Sequence, residues 1–351
     1  MPTPRTFVAL PGARCLRAAL LAGAAVLAPA VARAQGPFSS LTFFGDSYVD
    51  TGNAFLLTGG AEAASPPYFQ GRFSNGLVFT DYLAQQLGRP ADAAPVVGPN
   101  FVTGNYPASG NYAIGGARTN NLQGTSLQLG AYLGRPGTTP ATLTDPTGLY
   151  TLFVGGNDLR DIGDITDPAA RQAAAIAAAQ RVVAQAGLLA GAGARNVLLF
   201  TLASPGVMPE ALGVPGLSAS RDQATVAFNS ALALGIATLQ PTLPGTTFLN
   251  FRLDNLYANI LADARAGGGL YGLTNFTTAC FAPGAPSCDV SVFSDAIHPT
   301  TRTHQIIGSA IYTYVTTGRN VAVIPEPATL ALVAGGLATL GAAAAARRRA
   351  A

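Results

Sequence analysis

The stretch that decides the fold is residues 40–53, which read Ser40-Leu-Thr-Phe-Phe-Gly-Asp-Ser-Tyr-Val-Asp-Thr-Gly-Asn53. Residues 41–44 form a short apolar run, and this predicts a strand buried in a parallel sheet. Gly45 permits a sharp bend, and Asp46 and Ser47 are residue types that begin helices. We therefore predict a strand, a turn and a helix, with Ser47 at the carboxyl edge of the sheet, where open α/β folds bind ligands. An isolated Gly-Asp-Ser would serve equally well as a simple helix cap.

The rest of the chain alternates between strands and helices. Apolar runs predict further strands at 111–117, 149–154, 196–201 and 248–251. The first of these is short and runs into a glycine turn. Apolar spacing and capping residues predict helices at 77–87, 167–191, 218–239, 253–264 and 300–317. Ser74 or Asn75 is a candidate cap for the first helix, and Asp167 with Pro168 begins the second. The alternation predicts one doubly wound, mainly parallel sheet with right-handed crossovers, and the composition marks no border of a second domain.

Both ends of the chain read as processing signals. Residues 1–34 carry arginines, then an apolar run, then Ala32-Arg33-Ala34, which is the order of a secretory signal peptide. At the other end, Ile324-Pro-Glu-Pro327 precedes residues 328–346, which carry no charge, and a cluster at 347–349 of three arginines. This pattern predicts a weakly hydrophobic transmembrane helix with a cytoplasmic basic end.

The C-terminal segment 321–351 resembles a PEP-CTERM sorting tail. The resemblance implies that a membrane protease of the exosortase type removes the tail on the way to the bacterial surface, and that signal peptidase removes residues 1–34. An ordinary C-terminal anchor is the alternative. The expected product is exported, either at the cell surface or extracellular after processing, or otherwise anchored in the membrane and facing the periplasm. Residues 35–320 would be its folded domain.

Charge and cysteine content limit the classes of function. Residues 35–324 carry 13 arginines against 16 acidic residues, a net charge of −3, so the predicted mature chain has no basic surface for nucleic acid. Cys280 and Cys288 lie close together in a Pro/Gly/Ser-rich loop, and in an exported protein this predicts a disulfide. Neither thiol has a second ligand at zinc-like spacing, so no metal site is expected.

Four polar clusters supply the groups that ester hydrolysis requires: a nucleophile, a base, a residue that orients the base, and donors for the oxyanion. Ser47 is the candidate nucleophile. The chain contains two histidines, and of these His298 has Asp295 three residues before it, where the carboxylate could reach Nδ1 in a compact turn. Gly116, in a glycine turn, and Asn157, after the strand at 149–154, are candidate oxyanion donors together with the Ser47 N–H.

These clusters resemble the sequence blocks of a GDSL-type SGNH hydrolase, a family of esterases and lipases. The matching stretches occur in family order and are Gly45-Asp-Ser47, 111–117, Gly156-Asn-Asp158 and Asp295-Ala-Ile-His298, although Tyr48 stands where leucine is common. The segment Gly71-Arg-Phe-Ser-Asn-Gly76 also resembles the branch that contains secreted lipases and phospholipase/acyltransferase enzymes. The resemblance implies a three-layer α/β/α sandwich and no cofactor.

By the same resemblance, Ser47 would be the nucleophile and first oxyanion donor, with Gly116 and Asn157 as the other two donors. His298 would be the base and Asp295 its orienting residue. The expected substrate is a small-molecule or lipid ester. An acyltransferase, a polysaccharide O-deacetylase and a non-catalytic surface or matrix protein are the alternatives. His304, on the last predicted helix, is expected to be structural.

Overall fold

A central sheet of parallel strands forms the middle layer of the fold. The structure is a computed structural model, which describes residues 36–120, 124–139 and 142–323. Its strands are β1 (Leu41–Gly45), β2 (Gly110–Asn111), β3 (Leu149–Phe153), β4 (Asn196–Thr201) and β5 (Thr247–Arg252). They pair in the order β2-β1-β3-β4-β5, and every pairing is parallel.

Helices connect these strands. They are α1 (Asn53–Leu57), α2 (Phe79–Gln86), α3 (Val97–Asn100), α4 (Thr125–Leu133), α5 (Gly156–Gly163), α6 (Pro168–Gly191), α7 (Leu217–Leu239), α8 (Leu253–Arg265) and α9 (Thr301–Thr317). Short 3₁₀ turns lie at Pro90–Ala93, Pro205–Val207, Gln240–Thr242 and Cys288–Val290.

The strand order places helices on both faces of the sheet. From β1 the chain moves to one side to form β2, whereas β3, β4 and β5 follow one another on the other side. Because crossovers between parallel strands are right-handed, these opposite directions put α2 on one face and α6 and α7 on the other. In agreement, α6 packs against α7 and α2 packs against α9. The predicted three-layer α/β/α architecture is confirmed.

The strand order also identifies where a ligand would bind. The direction of winding reverses between β1 and β3, and in open α/β sheets the crevice at such a reversal, outside the carboxyl ends of the strands, receives the ligand. Ser47 follows β1 at this point, and Asn157 follows β3.

Two local predictions need correction, and four helices were not predicted. No helix begins at Asp46 or Ser47: the chain makes a turn, and the first helix, α1, begins later. Neither Ser74 nor Asn75 caps α2. The N-cap residue of this helix is Val78, whose N–H donates to the Asp81 carboxylate at 3.0 Å. The sequence also failed to predict α1, α3, α4 and α5, which are short.

Gly45 is required by crowding. A Cβ atom at this position would lie 2.3 Å from the carbonyl oxygen of Phe153 on the neighbouring strand and 2.9 Å from Val49. The prediction from backbone freedom therefore named the correct residue for the wrong reason, since close approach of β1 to β3 excludes any side chain here.

One helix among the described residues, Pro168–Gly191, is long and apolar enough to cross a membrane by length and composition. Its buried side chains pack against α7 and the sheet, which is also the pattern of a core helix. As predicted, Asp167 caps this helix, since its carboxylate accepts hydrogen bonds from the N–H groups of Ala169 and Ala170. The predicted signal peptide, 1–34, and nearly all of the predicted tail, from 324 onward, lie outside the described residues.

The predicted disulfide between Cys280 and Cys288 is present. It closes a loop that pairs with the strand-like segment before Asp295: the Cys280 N–H donates to the carbonyl of Phe293 at 3.0 Å, and the Phe281 N–H donates to that of Ser294 at 2.9 Å. The crosslinked loop therefore holds the chain immediately before Asp295.

Candidate active site

Ser47 lies in a tight turn immediately after β1. The backbone N–H groups of Val49 and Asp50 both donate to the carbonyl of Asp46 at 3.0 Å, and the Tyr48 N–H donates to the Asp46 carboxylate at 3.1 Å. These bonds close the turn and hold the Ser47 side chain at the sheet edge, where it is 6% exposed.

The turn brings Ser47 to the histidine supplied by the other end of the domain. Ser47 Oγ lies 2.8 Å from His298 Nε2, and His298 Nδ1 lies 2.6 Å from Asp295 Oδ2. The three side chains therefore form a continuous hydrogen-bonded row, in which the carboxylate fixes the imidazole and leaves Nε2 facing the hydroxyl. This geometry allows a base to take the serine proton.

The Asp295 carboxylate accepts four hydrogen bonds. Oδ1 receives the N–H groups of Ile297 and His298, at 2.8 and 2.7 Å, while Oδ2 receives His298 Nδ1 and the hydroxyl of Tyr68, the latter at 2.7 Å. Burial alone would raise the pKa of this carboxyl, but the interactions with His298 and Tyr68 outweigh burial and lower the pKa to about 2. Asp295 is therefore ionised throughout the neutral range and can stabilise a charged imidazole.

In the glycine turn after β2, the N–H groups of Gly115 and Gly116 have different surroundings. The Gly115 N–H donates to Asp50 Oδ2 at 2.8 Å, so this donor is occupied. Gly116 adopts a φ of 77°, a left-handed conformation that favours glycine, and a Cβ atom there would meet nothing within 4 Å. Within the described residues, its N–H donates to no protein acceptor. Gly116, and not Gly115, is therefore placed to offer a donor to the groove beside Ser47.

Asn157 lies in the first turn of α5, 8% exposed, with its side chain held from both sides. Its Nδ2 donates to the carbonyl of Ala117 at 3.1 Å, and its Oδ1 accepts from Arg160 at 3.4 Å. The Arg160 guanidinium is in turn held by two hydrogen bonds to Glu210, of 2.7 and 2.8 Å. One amide N–H remains for a ligand, and Asn157 lines the same groove as Ser47 and Gly116.

Asp50 and Asn53 join the turn after β1 to the turn after β2. The Asp50 carboxylate accepts the N–H groups of Gly52, Asn53, Ala54 and Gly115. Asn53 donates to the carbonyls of Asn111 and Ala113, both at 2.8 Å. Both residues stand in the opening stretch of the sequence, but no local pattern indicates their bonds to Gly115, Asn111 and Ala113, which lie about 60 residues further on.

A groove of about 700 Å³ opens over Ser47. Its apolar lining residues include Leu57, Phe73, Val97, Phe101, Ile114 and Leu127. Of its charged lining residues, Arg118 pairs with Asp161 and Arg160 pairs with Glu210. A second cavity, of about 30 Å³, meets the groove at Ser47 and Asn157 and lies over the ends of the strands. The groove, unlike the small cavity, can thus receive a largely apolar molecule beside the hydroxyl.

Tyr48, which replaces the common leucine, adds a contact to the same site. Its ring stacks on Phe153 with centroids 5.5 Å apart, and its hydroxyl donates to the carbonyl of Ile297 at 2.8 Å. The substitution therefore supports the loop that carries His298.

His304 is structural, as predicted. It is fully buried, and its Nδ1 accepts the N–H of Phe79 at 3.2 Å. Burial lowers the pKa of this histidine to about 3, so it is neutral at physiological pH. Among the described residues, no group of three or more His, Cys, Asp or Glu side chains is arranged to hold a metal ion.

The fold and the site together define an α/β enzyme with a serine, a histidine and an aspartate in hydrogen-bonded sequence at the sheet edge. The chain belongs to the GDSL-like lipase/acylhydrolase family, whose sequence model matches residues 41–311. It is therefore a hydrolase that acts on ester bonds, in a family of esterases, lipases and acyltransferases.

Individual relatives agree with this assignment. A phosphatidylcholine-sterol acyltransferase of Aeromonas hydrophila is 30% identical over 274 residues, covering 74% of this chain and 71% of the relative. A GDSL esterase/lipase of Arabidopsis thaliana is 24% identical, covering 79% of this chain and 91% of the relative. A GDSL-like lipase of Bacteroides thetaiotaomicron with a known crystal structure is 12% identical, with a TM-score of 0.35, covering 80% of this chain and 89% of the relative.

Proposed function

We propose that the protein is an exported serine esterase or lipase that hydrolyses carboxylic esters of lipid or similar acyl compounds. The observation that carries this proposal is the 2.8 Å contact between Ser47 Oγ and His298 Nε2 at the base of an apolar groove. In the first step Ser47 attacks the acyl carbonyl carbon while its proton passes to His298 Nε2. The N–H groups of Ser47 and Gly116 and the Asn157 amide stabilise the oxyanion.

The tetrahedral intermediate then breaks down to an acyl-enzyme, which water hydrolyses. His298 returns its proton to the leaving alcohol oxygen, which leaves an acyl ester on Ser47. Water attacks this ester with His298 again as base, the carboxylic acid departs, and the Ser47 hydroxyl is restored. Asp295 keeps the imidazole oriented and compensates its charge in both halves of the reaction.

The substitution Ser47→Ala tests the nucleophile. We expect it to abolish hydrolysis of a short p-nitrophenyl ester and to leave the unfolding temperature unchanged, because the variant keeps the turn but has no hydroxyl. The matched control is Ser309→Ala, whose hydroxyl bonds Gln86 on the helical surface away from the site. Ser47→Ala protein with substantial remaining turnover would refute the mechanism.

Acyl transfer is a second candidate, favoured by the similarity to a phosphatidylcholine-sterol acyltransferase. An alcohol would then replace water in the second half of the reaction. Product analysis with added alcohols decides between the two: a new ester that requires Ser47 indicates transfer, and free acid alone indicates hydrolysis.

Export is part of the proposal and is supported by the leader-like residues 1–34 and by the disulfide, since such bonds persist in oxidising compartments. We propose that signal peptidase and an exosortase-type protease act at the two ends. Mass spectrometry of protein recovered from the surface or medium should find an N-terminus near Gln35 and no Arg347–Arg349 cluster. A mature protein that retains both segments would contradict this.

A further inference from the structure

Residues 65–76, which include the Gly71–Gly76 motif, connect α1 to α2 and bind the loop that carries His298. The hydroxyl of Ser74 donates to the carbonyl of Pro299 at 2.9 Å, and Asn75 Oδ1 accepts the N–H of Thr301 at 2.8 Å. Arg72 anchors the same segment to α2 through two hydrogen bonds of 2.8 Å to Asp81. The 65–76 segment is thus fixed to both sides of the site.

Within this segment, Tyr68 reaches the site itself. Its hydroxyl donates to Asp295 Oδ2, the oxygen that also accepts His298 Nδ1. The other donors to this carboxylate in the described part of the chain are Ile297 and His298, so Tyr68 is the one that comes from a different loop. The Tyr68 ring packs edge-on against Phe73 and Phe281, with centroids 6.0 and 5.5 Å apart.

The backbone around Tyr68 is strained. Ala63 and Gln70 have φ values of 50° and 48°, and among the described residues they are the non-glycine residues with positive φ. Such conformations are costly and persist where surrounding contacts enforce them, often at functional sites. Gln70 is held in a turn in which the Phe69 N–H donates to the carbonyl of Ser74 at 2.9 Å and the Arg72 N–H donates to that of Phe69 at 3.0 Å.

We propose that Tyr68 is a positioning residue for the reaction, and that the 65–76 segment serves to deliver its hydroxyl to Asp295. The proposal rests on the function proposed above. By sharing Oδ2 with His298, the Tyr68 hydroxyl fixes the carboxylate in the plane of the imidazole. It also withdraws negative charge from that oxygen, so that Asp295 stabilises the charged imidazole strongly enough for catalysis but does not hold it protonated.

The charge state of the neighbouring groups determines what a pH profile can report. Tyr48 and His304 stay neutral near pH 7, because burial raises the pKa of the first and lowers the pKa of the second. Asp46 and Asp50 can titrate, because burial raises their pKa values to about 7 and about 6. The charged side chains that line the groove are Glu62, Arg118 and Arg160, of which the two arginines pair with Asp161 and Glu210, and Asp158 lies beside Asp46. None of these residues changes in the variant below, so their contributions are common to both proteins.

The test is Tyr68→Phe, which keeps the ring and removes the hydroxyl. We expect kcat to fall by about tenfold, the effect of one hydrogen bond to a charged group, with KM nearly unchanged. The acid limb of the kcat/KM profile should move to higher pH by several tenths of a unit, because a more negative Oδ2 favours the charged imidazole. The control is Tyr82→Phe, which removes a 2.8 Å bond to Thr301 on the far side of the segment.

A second measurement does not depend on turnover. The low-field proton resonance of the His298 Nδ1–H···Asp295 bond should shift in Tyr68→Phe and not in Tyr82→Phe. A Tyr68→Phe enzyme with the wild-type kcat, pH profile and resonance would overturn the proposal. So would an equal loss of rate at every pH with an unmoved resonance, since that result indicates a purely structural role. If wild-type protein hydrolyses no ester, the proposed function fails, while the resonance still reports whether Tyr68 acts on the Asp295–His298 pair.

Discussion

Asn157 shows how one side chain can be held ready for a ligand. Arg160 fixes its oxygen and the Ala117 carbonyl fixes one N–H, so the remaining N–H has one direction available. A donor fixed before the reaction has little reorganisation to undergo when charge develops on the substrate, which is why oxyanion donors have large effects.

We expect Asn157→Ala to lower kcat by about 10²- to 10³-fold with a small change in KM, because the lost donor acts mainly on the transition state. Steady-state kinetics on a p-nitrophenyl ester measure both constants. Asn105→Ala, on an exposed loop, is the control. A kcat within about twofold of wild type would remove Asn157 from the oxyanion site.

The residues found from sequence and those missed differ in how local their signals are. Ser47 and the Asp295–His298 pair could be predicted, because the chain has two histidines and only one follows an aspartate at a distance that allows a bond to Nδ1. Tyr68 could not, because its partner lies 227 residues away and its direction depends on the packing of three loops. For the same reason Ser74 and Asn75 were mistaken for caps of the nearest helix, although they bind Pro299 and Thr301.

At the scale of elements, the strands with buried runs and the long helices could be predicted, whereas most of the short helices could not. Strands β3 to β5 and helices α6 to α9 carry buried runs or clear caps, so their patterns identify them. Helices α3 and α4, of four and nine residues, contain too few turns to show a clear period, and they form because tertiary contacts stabilise them. Helix α2, of eight residues, is the exception, since its apolar spacing predicted it.

The disulfide-closed loop is an element whose loss can be measured. Replacing Cys280 and Cys288 by serine should lower the free energy of unfolding by about 2–3 kcal/mol, the loop-closure entropy for a ring of this size. Guanidinium unfolding of both proteins without reductant measures the difference. Activity should fall as well, since this loop binds the residues before Asp295.

The reduced protein provides the control for that comparison. Dithiothreitol should bring the wild-type curve to that of the double variant and leave the variant unchanged. Equal stability of the two proteins without reductant would show that the crosslink contributes nothing to the fold.

For the whole molecule, a buried carboxyl beside the nucleophile links stability to pH. Burial, followed by repulsion from Asp158 and Asp50, raises the pKa of Asp46 to about 7 despite the Tyr48 N–H bond. The folded state thus binds this proton more tightly than the unfolded state does. The free energy of unfolding is therefore highest near pH 4, where Asp46 is protonated in the folded state, and this contribution is lost as pH rises through the folded pKa of about 7.

Asp46→Asn should therefore flatten the dependence of stability on pH between about 4 and 7, where the wild-type group accounts for up to about 4 kcal/mol. Urea unfolding at several pH values within that range measures the effect. Asp289→Asn, at an exposed carboxylate, should keep the wild-type slope. An Asp46→Asn slope equal to that of wild type would show that Asp46 does not bind the proton.

The separation of 251 residues between Ser47 and His298 has a consequence for the timing of activity. A nascent chain that ends before Asp295 contains the hydroxyl but neither the imidazole nor its carboxylate. On the proposed mechanism, each ribosome would therefore complete nearly the whole domain before any copy could cleave an ester, and a precursor kept unfolded for translocation would be harmless to the lipids of the cell that makes it.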